Sequence, residues 1–560
     1  MSTPTAASSE PRLETAASLA LTSRQIGIAA LIGLATLCFG LLRTAPGVIG
    51  AYHDDGIYVA TGKALAEGEG YTIPFLPDIQ PQTKYPPLLP AVFALIWRIA
   101  PQFPENVPLF QGFCLVSMAL GNAIACLFLV RFRYASTWAA TMATAFAATS
   151  PVFLLYGTMP LTEGPFSLLA ILSLWAVEST LASPKGTGRR AARAGILVAL
   201  SGLCRTLGFV WAGAAPLIFL LRRRGRAILP FLIFALPPML AWQYWSASAR
   251  PAGLSPLIDY YVDYASDWID CAASDLPRVV FMNLRWLVEA PGNLVLAGPL
   301  VLLRALFLEG GGFGILVAVL AIGRAAALLR EGRALPWLLG AYLLPIVMHP
   351  WPPERFWMPL AALTGGLFTA EVERLVRKYR PARMRFVLDL ALCAIALNLL
   401  YLMIVHDVIR TLGYPMGMGR DTPRWESVRE GTDWLRFHSS PDAVVGAVLD
   451  PMVWLYSGRR SVRYYVQRPV ALFYDNTRSK LEQPEALLAN LESLGADYLF
   501  EAPHYGFAID RKIHKRILQI VEQFPASLVR VFESKDRKVR IYRIFHDKAA
   551  ARPTGDAHRS

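Results

Sequence analysis

What most constrains this 560-residue chain is a succession of apolar runs of about 20 residues, separated by short loops rich in lysine and arginine. A run of that length crosses the hydrocarbon of a bilayer as one helix, and a helix satisfies its own backbone while doing so. Charged residues make up only 17% of the chain and hydrophobic ones 54%, so lipid has to solvate much of its surface. Spans are expected near 25–45, 108–130, 136–156, 162–182, 228–246, 312–330, 335–349, 356–376 and 384–407. The stretch 195–221 is too long for one span and has basic loops at both ends, so it reads as two short helices around Gly208. The expectation is a polytopic α-helical membrane protein of about 11 transmembrane helices.

The net charge of +14 does not indicate a nucleic-acid partner. Its basic residues gather in "RFR" (131–133), "SPKGTGRRAAR" (183–193), "RRRGR" (222–226), "LLREGR" (328–333) and "VERLVRKYRPARMR" (372–385), the pattern of cytoplasmic loops. The loops 46–107 and 247–311 lean acidic and are assigned to the other side, with two amphipathic pieces at 55–67 and 86–100. An apolar stretch at 294–308 has to stay on that outer face, lying in the interface or re-entering. The first span has no small-residue cleavage site after it and reads as a retained helix.

Beyond about residue 410 the periodicity changes. Strand-like "DAVVGAVLD" (442–450) and "KVRIYRIF" (538–545) alternate with helix-like segments, which points to a soluble α/β domain over 410–547 outside the membrane. The ends, 1–24 and 548–560, read as disordered. The six cysteines form neither a disulfide framework nor a metal pattern.

Candidate chemistry lies at the outer edge of the spans. Asp54 and Asp55 precede a helix expected to start at Gly56 or Ile57. One acid suffices to cap it, and the other is free to act as an ionised general base. Lys84 and Tyr85 precede Pro86–Pro87, the start of a helix skimming the membrane; Lys84 is either an interfacial anchor or a phosphate contact. Glu163 opens one span, Arg205 lies inside an apolar run, and Arg355 opens another beside His349 and Glu354. Charge at such depth is paired or functional. Phosphate-binding glycine loops, zinc motifs and nucleophile elbows are all missing from the sequence.

At these residues the chain resembles the GT-C glycosyltransferases, a group that includes protein O-mannosyltransferases and the lipid A aminoarabinose transferase. Asp54, Asp55 and Tyr58 match the family's Asp-Glu-x-x-Tyr pattern with Asp55 in place of Glu, and "KYPPL" (84–88) is similar to its Glu-Lys-Pro-Pro-Leu run. The Glu163 span and "ERFWMPL" (354–360) also match, while the acid before the Pro-Pro pair is missing. The resemblance covers roughly residues 25–410 and implies a GT-C-like transmembrane catalytic domain at 25–409.

It further implies transfer of a sugar from a polyprenyl-phosphate or pyrophosphate donor to a hydroxyl on a lipid, glycan or protein acceptor, with inversion. The setting would be the extracytoplasmic face of the bacterial inner (plasma) membrane. Asp54 and Asp55 would be catalytic, and His53, Tyr58, Lys84, Tyr85, Glu163, Arg205, His349 and Arg355 would bind substrate. No cofactor is required, and a divalent metal ion is allowed. The alternative is a carrier or flippase-like binder of lipid-linked saccharide, which would not need Asp54.

Overall fold

The computed structural model describes residues 20–182, 187–296, 311–412, 422–474, 480–503 and 510–546. The expected disorder at 548–560 and at most of 1–24, and the stretch 297–308, lie outside the described residues.

Helix α1 (Ser23–Arg43) opens with a capping box, Thr22 and Gln25 each bonding the other's backbone amide. The loop after it carries α2 (Asp54–Glu67), a two-residue ribbon β1 (Thr72–Ile73) with β2 (Gln80–Pro81), and α3 (Leu88–Ile99). Then come α4 (Val107–Arg131), α5 (Thr137–Thr149), α6 (Pro151–Thr158), α7 (Glu163–Ala182), α8 (Thr187–Cys204), α9 (Val210–Leu221) and α10 (Ile228–Ala249). A second long connection holds α11 (Pro256–Val262), a 3-10 turn at Ala265–Trp268 and the amphipathic α12 (Leu276–Val295). The bundle ends with α13 (Gly311–Arg330), α14 (Leu335–Met348), the short α15 (Glu354–Trp357), α16 (Ala361–Tyr379) and α17 (Met384–Leu412).

Among the described residues, α1, α4, α7, α10, α13 and α17 are long and apolar enough to cross a bilayer, six against the expected eleven. The bent pair α5–α6 makes seven. Its 65° bend falls at Ser150–Pro151, where proline lacks the amide that would continue the helix and Ser150 caps the new one. The 195–221 stretch forms two helices around Gly208, as expected, but the first of them begins earlier. Helix α8 starts at Thr187, so Arg189, Arg190 and Arg193 sit on its first turns rather than in a loop, and the break comes at Arg205–Phe209. Small residues let the helices close up: a Cβ on Gly164 of α7 would lie 2.3 Å from the Cys114 carbonyl of α4.

After α17 the chain forms α18 (Trp425–His438), β3 (Val444–Ala447), α19 (Asp450–Ser457), β4 (Arg460–Val462), α20 (Pro469–Phe473), α21 (Pro484–Ser493), β5 (Tyr498–Glu501), α22 (Asp510–Gln523), β6 (Leu528–Glu533) and β7 (Arg540–Ile544). The five longer-range strands make one mixed sheet in the order β4-β3-β5-β7-β6, with β3 parallel to β4 and β5, and β7 antiparallel to β5 and β6. This tail does not hang free. Ser461 N donates to Phe75 O at 2.8 Å, Ile49 N donates to the Tyr456 hydroxyl at 3.2 Å, and the Phe103 and Tyr456 rings lie 4.8 Å apart. It is therefore seated on the loop between α1 and α4.

Candidate active site

A cavity of about 450 Å³ opens where the bundle meets the tail, walled by residues from the α1–α4 loop, α9, the α10–α12 connection, the α14–α15 corner and the tail. His53, Asp54, Tyr58, Lys84, Tyr85, Arg205, His349 and Arg355 all line it. Glu163 stands behind the wall and Asp55 does not reach it.

Helix α2 begins at Asp54, two residues earlier than expected, with His53 as N-cap and without a side-chain cap. Neither aspartate caps the helix in the usual way, and the two neighbours part company. Asp55 is almost wholly buried and accepts the amides of Gly50 at 2.7 Å and Tyr52 at 3.0 Å. Burial pushes its carboxyl up to about 6 against the pull of those amides. These hydrogen bonds close the turn ahead of α2, and Asp55, expected to be catalytic, is not among the residues that line the cavity. Asp54 accepts the Tyr85 hydroxyl at 2.9 Å and Arg355 Nη1 at 2.7 Å. Burial pushes its carboxyl up, but Arg355, His53 and the hydrogen bonds outweigh this and hold it below the usual carboxylate range, so it is ionised at neutral pH.

Arg355 continues into a chain of alternating charge. Its Nε donates to Glu163 Oε1, and Arg205 Nη1 donates to the same oxygen at 2.8 Å and to Thr162 Oγ1 at 3.3 Å. Both guanidiniums keep N–H donors beyond these contacts. Lys84 and Tyr85, expected at the surface, are buried because the α10–α12 connection covers them. Lys84 Nζ donates to Tyr260 O at 2.9 Å and Asp267 Oδ1 at 3.0 Å, over the Tyr260 ring at 4.4 Å. Burial raises the Asp267 carboxyl even against Lys84. Tyr58 packs edge-on to Tyr85, 5.0 Å between rings. His349 Nδ1 accepts from Trp351 N at 3.2 Å, and burial together with Lys84 and Arg205 lowers its pKa to about 3, keeping it neutral.

Sequence reasoning missed Asp450, Tyr260, Tyr261, Asp267 and Arg463. Arg463 lines the cavity from the tail, donating to Gln467 Oε1 at 2.6 Å and Val448 O at 3.2 Å between the Tyr260 and Tyr465 rings. Among the described residues it makes no ion pair with a carboxylate within 4 Å, and its buried Nε has no hydrogen-bond partner. Four cations and two carboxylates thus line the cavity (Lys84, Arg205, Arg355 and Arg463 against Asp54 and Asp267), which suits it to an anion. Among the described residues no three His, Cys, Asp or Glu side chains are grouped to hold a metal ion.

Fold and site together define a multi-pass helical membrane protein with a charged cavity at one end. No family model and no curated protein matches the chain. Among solved structures it is similar to ArnT of Cupriavidus metallidurans bound to undecaprenyl phosphate, over 93% of this chain and 98% of that one, with 12% identity and a TM-score of 0.53. It is also similar to the oligosaccharyltransferase AglB of Archaeoglobus fulgidus in complex with an inhibitory peptide and a dolichol-phosphate. That match covers 85% of this chain and 69% of the other, with 14% identity and a TM-score of 0.53. The fold is that of the GT-C glycosyltransferases.

Proposed function

We propose that this protein transfers a sugar from a polyprenyl phosphate or pyrophosphate to an acceptor hydroxyl, inverting the anomeric centre. One observation carries the reading: an ionised aspartate, Asp54, faces a cavity whose remaining charged walls are mainly cationic. The acceptor oxygen attacks the anomeric carbon, its proton passes to the Asp54 carboxylate, and the bond from that carbon to the phosphate oxygen breaks. The lipid phosphate leaves as a stable anion without a general acid, so one carboxylate suffices where glycoside hydrolysis needs two. Arg355 and Arg205, with Lys84 and Arg463, meet the departing charge. The mechanism calls on no resident metal; a divalent ion would add to these cations. That ArnT was solved with undecaprenyl phosphate and AglB with dolichol-phosphate supports the choice of donor. The basic ends of α4, α8 and α16 lie away from the cavity, which supports an active site facing out of the cytoplasm of a bacterial inner membrane.

The test uses polyprenyl-phosphate-linked sugars labelled with ³²P in the lipid phosphate, extracted from native membranes and added to purified full-length protein with those membranes. The expected result is release of labelled polyprenyl phosphate by the wild type and its loss in Asp54→Asn. Equal release by both removes Asp54 from the mechanism, whereas sugar lipid that is bound and moved but never cleaved sinks the enzyme reading and leaves the carrier.

A further inference from the structure

The residue before Asp54 has an unusual backbone. His53 sits at φ +72° and ψ −61°, and Asp54 N donates to Tyr52 O at 3.0 Å, closing a three-residue turn of a kind that L-residues rarely adopt. Such a conformation persists only where the surroundings over-determine it, and such places cluster at functional sites.

Three grips hold this one. His53 Nε2 is 2.8 Å from Asp450 Oδ1 of the tail. Burial and the nearby Arg463 lower the His53 pKa, so the ring is neutral and its proton lies on Nε2, toward the carboxylate. Asp450 is itself immobilised: it is fully buried, and its Oδ2 accepts the Tyr261 hydroxyl at 2.7 Å. The second grip is the Asp55 carboxylate on the amides of Gly50 and Tyr52. The third is α19 lying on the turn, where a Cβ on Gly50 or Gly56 would come within 2.6 Å of Met452 or Pro451.

We propose that Asp450 is a positioning residue for Asp54: from the tail it grips His53 and so holds the strained turn that aims the Asp54 carboxylate into the cavity. The tail is then part of the active site. This inference rests on the role given to Asp54 above. Glycine occupies positive φ without the Cβ penalty. His53→Gly therefore keeps the turn without needing the grip, whereas His53→Ala and Asp450→Ala lose the grip and keep the strain.

The same lipid-phosphate release assay, run on full-length protein over a range of donor concentration, tests this. His53→Ala and Asp450→Ala are expected to lower kcat about tenfold or more, with donor KM changed by less than about twofold. His53→Gly is expected to turn over severalfold faster than His53→Ala, and Asp450→Ala to cost nothing further in the His53→Gly background. Equal impairment of His53→Ala and His53→Gly, or full activity in Asp450→Ala, overturns the proposal. Should Asp450→Ala not fold, amide hydrogen exchange of His53→Ala in nanodiscs decides. Faster exchange confined to residues 52–58 supports the grip, and protection equal to the wild type refutes it. Failure of the functional reading looks different, because Asp54→Asn would then be as active as the wild type.

Discussion

The two ends of the bundle carry cavities of similar size, about 450 Å³ beside the tail and about 490 Å³ at the opposite end, both walled by charged side chains. Their ion pairs differ in kind. At the far end Arg374 and Arg377 reach Glu371 and Glu373 one turn away on α16, and the arginine side chains are 46% and 63% exposed. At the tail end Arg205–Glu163, Arg355–Asp54 and Lys84–Asp267 join distant segments, and none of these side chains is more than 18% exposed. Exposed pairs within one helix cost little and contribute little. Buried pairs between segments carry a desolvation penalty that hydrophobic replacements would avoid, so their presence points to chemistry rather than to stability.

That contrast can be broken or sharpened at several points. The largest effect is expected for Asp54→Asn, which should lower turnover about a thousandfold in the lipid-phosphate assay while the thermal midpoint holds. Lys84→Met leaves Asp267 buried without its cation. A loss of about 3 kcal/mol in denaturant unfolding is expected, recovered in large part by adding Asp267→Asn. Arg355→Gln should cost about a hundredfold in turnover and also move the pH profile. Asp54 is held below the ordinary carboxylate range, so in the wild type the acid limb of the rate lies below that range as well. With Arg355 gone burial is less opposed, the carboxyl rises, and the limb shifts toward neutrality. An unshifted limb would remove Asp54 as the titrating base.

Arg463→Gln is expected to raise donor KM about fivefold with kcat little changed, measured across donor concentration. The smallest effect belongs to the far end. Arg377→Ala should change stability by less than about 0.5 kcal/mol and leave turnover alone. A large loss there would erase the distinction between the two cavities.

Much of the scaffold was legible because it follows from local pattern. The runs near 25–45, 108–130, 162–182 and 384–407 became α1, α4, α7 and α17, since a long apolar stretch has few alternatives to a helix. Shorter or proline-broken segments were harder: 136–156 bent at Pro151, and 195–221 started earlier than its apolar character suggested. At the site, the structure brings Asp54, Lys84, Arg205, His349 and Arg355 around one cavity, although they span some 300 residues of sequence. Each had been visible as a charge or an imidazole where apolar context made it conspicuous.

Asp450 and Arg463 had no such signal. "LDPM" looks like the end of a strand and "RSVRYY" like an ordinary basic strand, and only packing shows that their side chains reach His53 and the cavity.

The sequence by itself determined that this chain lives in a membrane, which loops are basic, and that an acidic pair stands in the loop after the first span, because hydropathy and charge are properties of neighbouring residues. Only the tertiary structure decided that Asp54 faces the chamber while Asp55 ties a turn, that Lys84 is buried, and that the tail grips His53. Adjacent carboxylates are alike until the fold places one against backbone amides and the other against Arg355, more than 300 positions away in the chain.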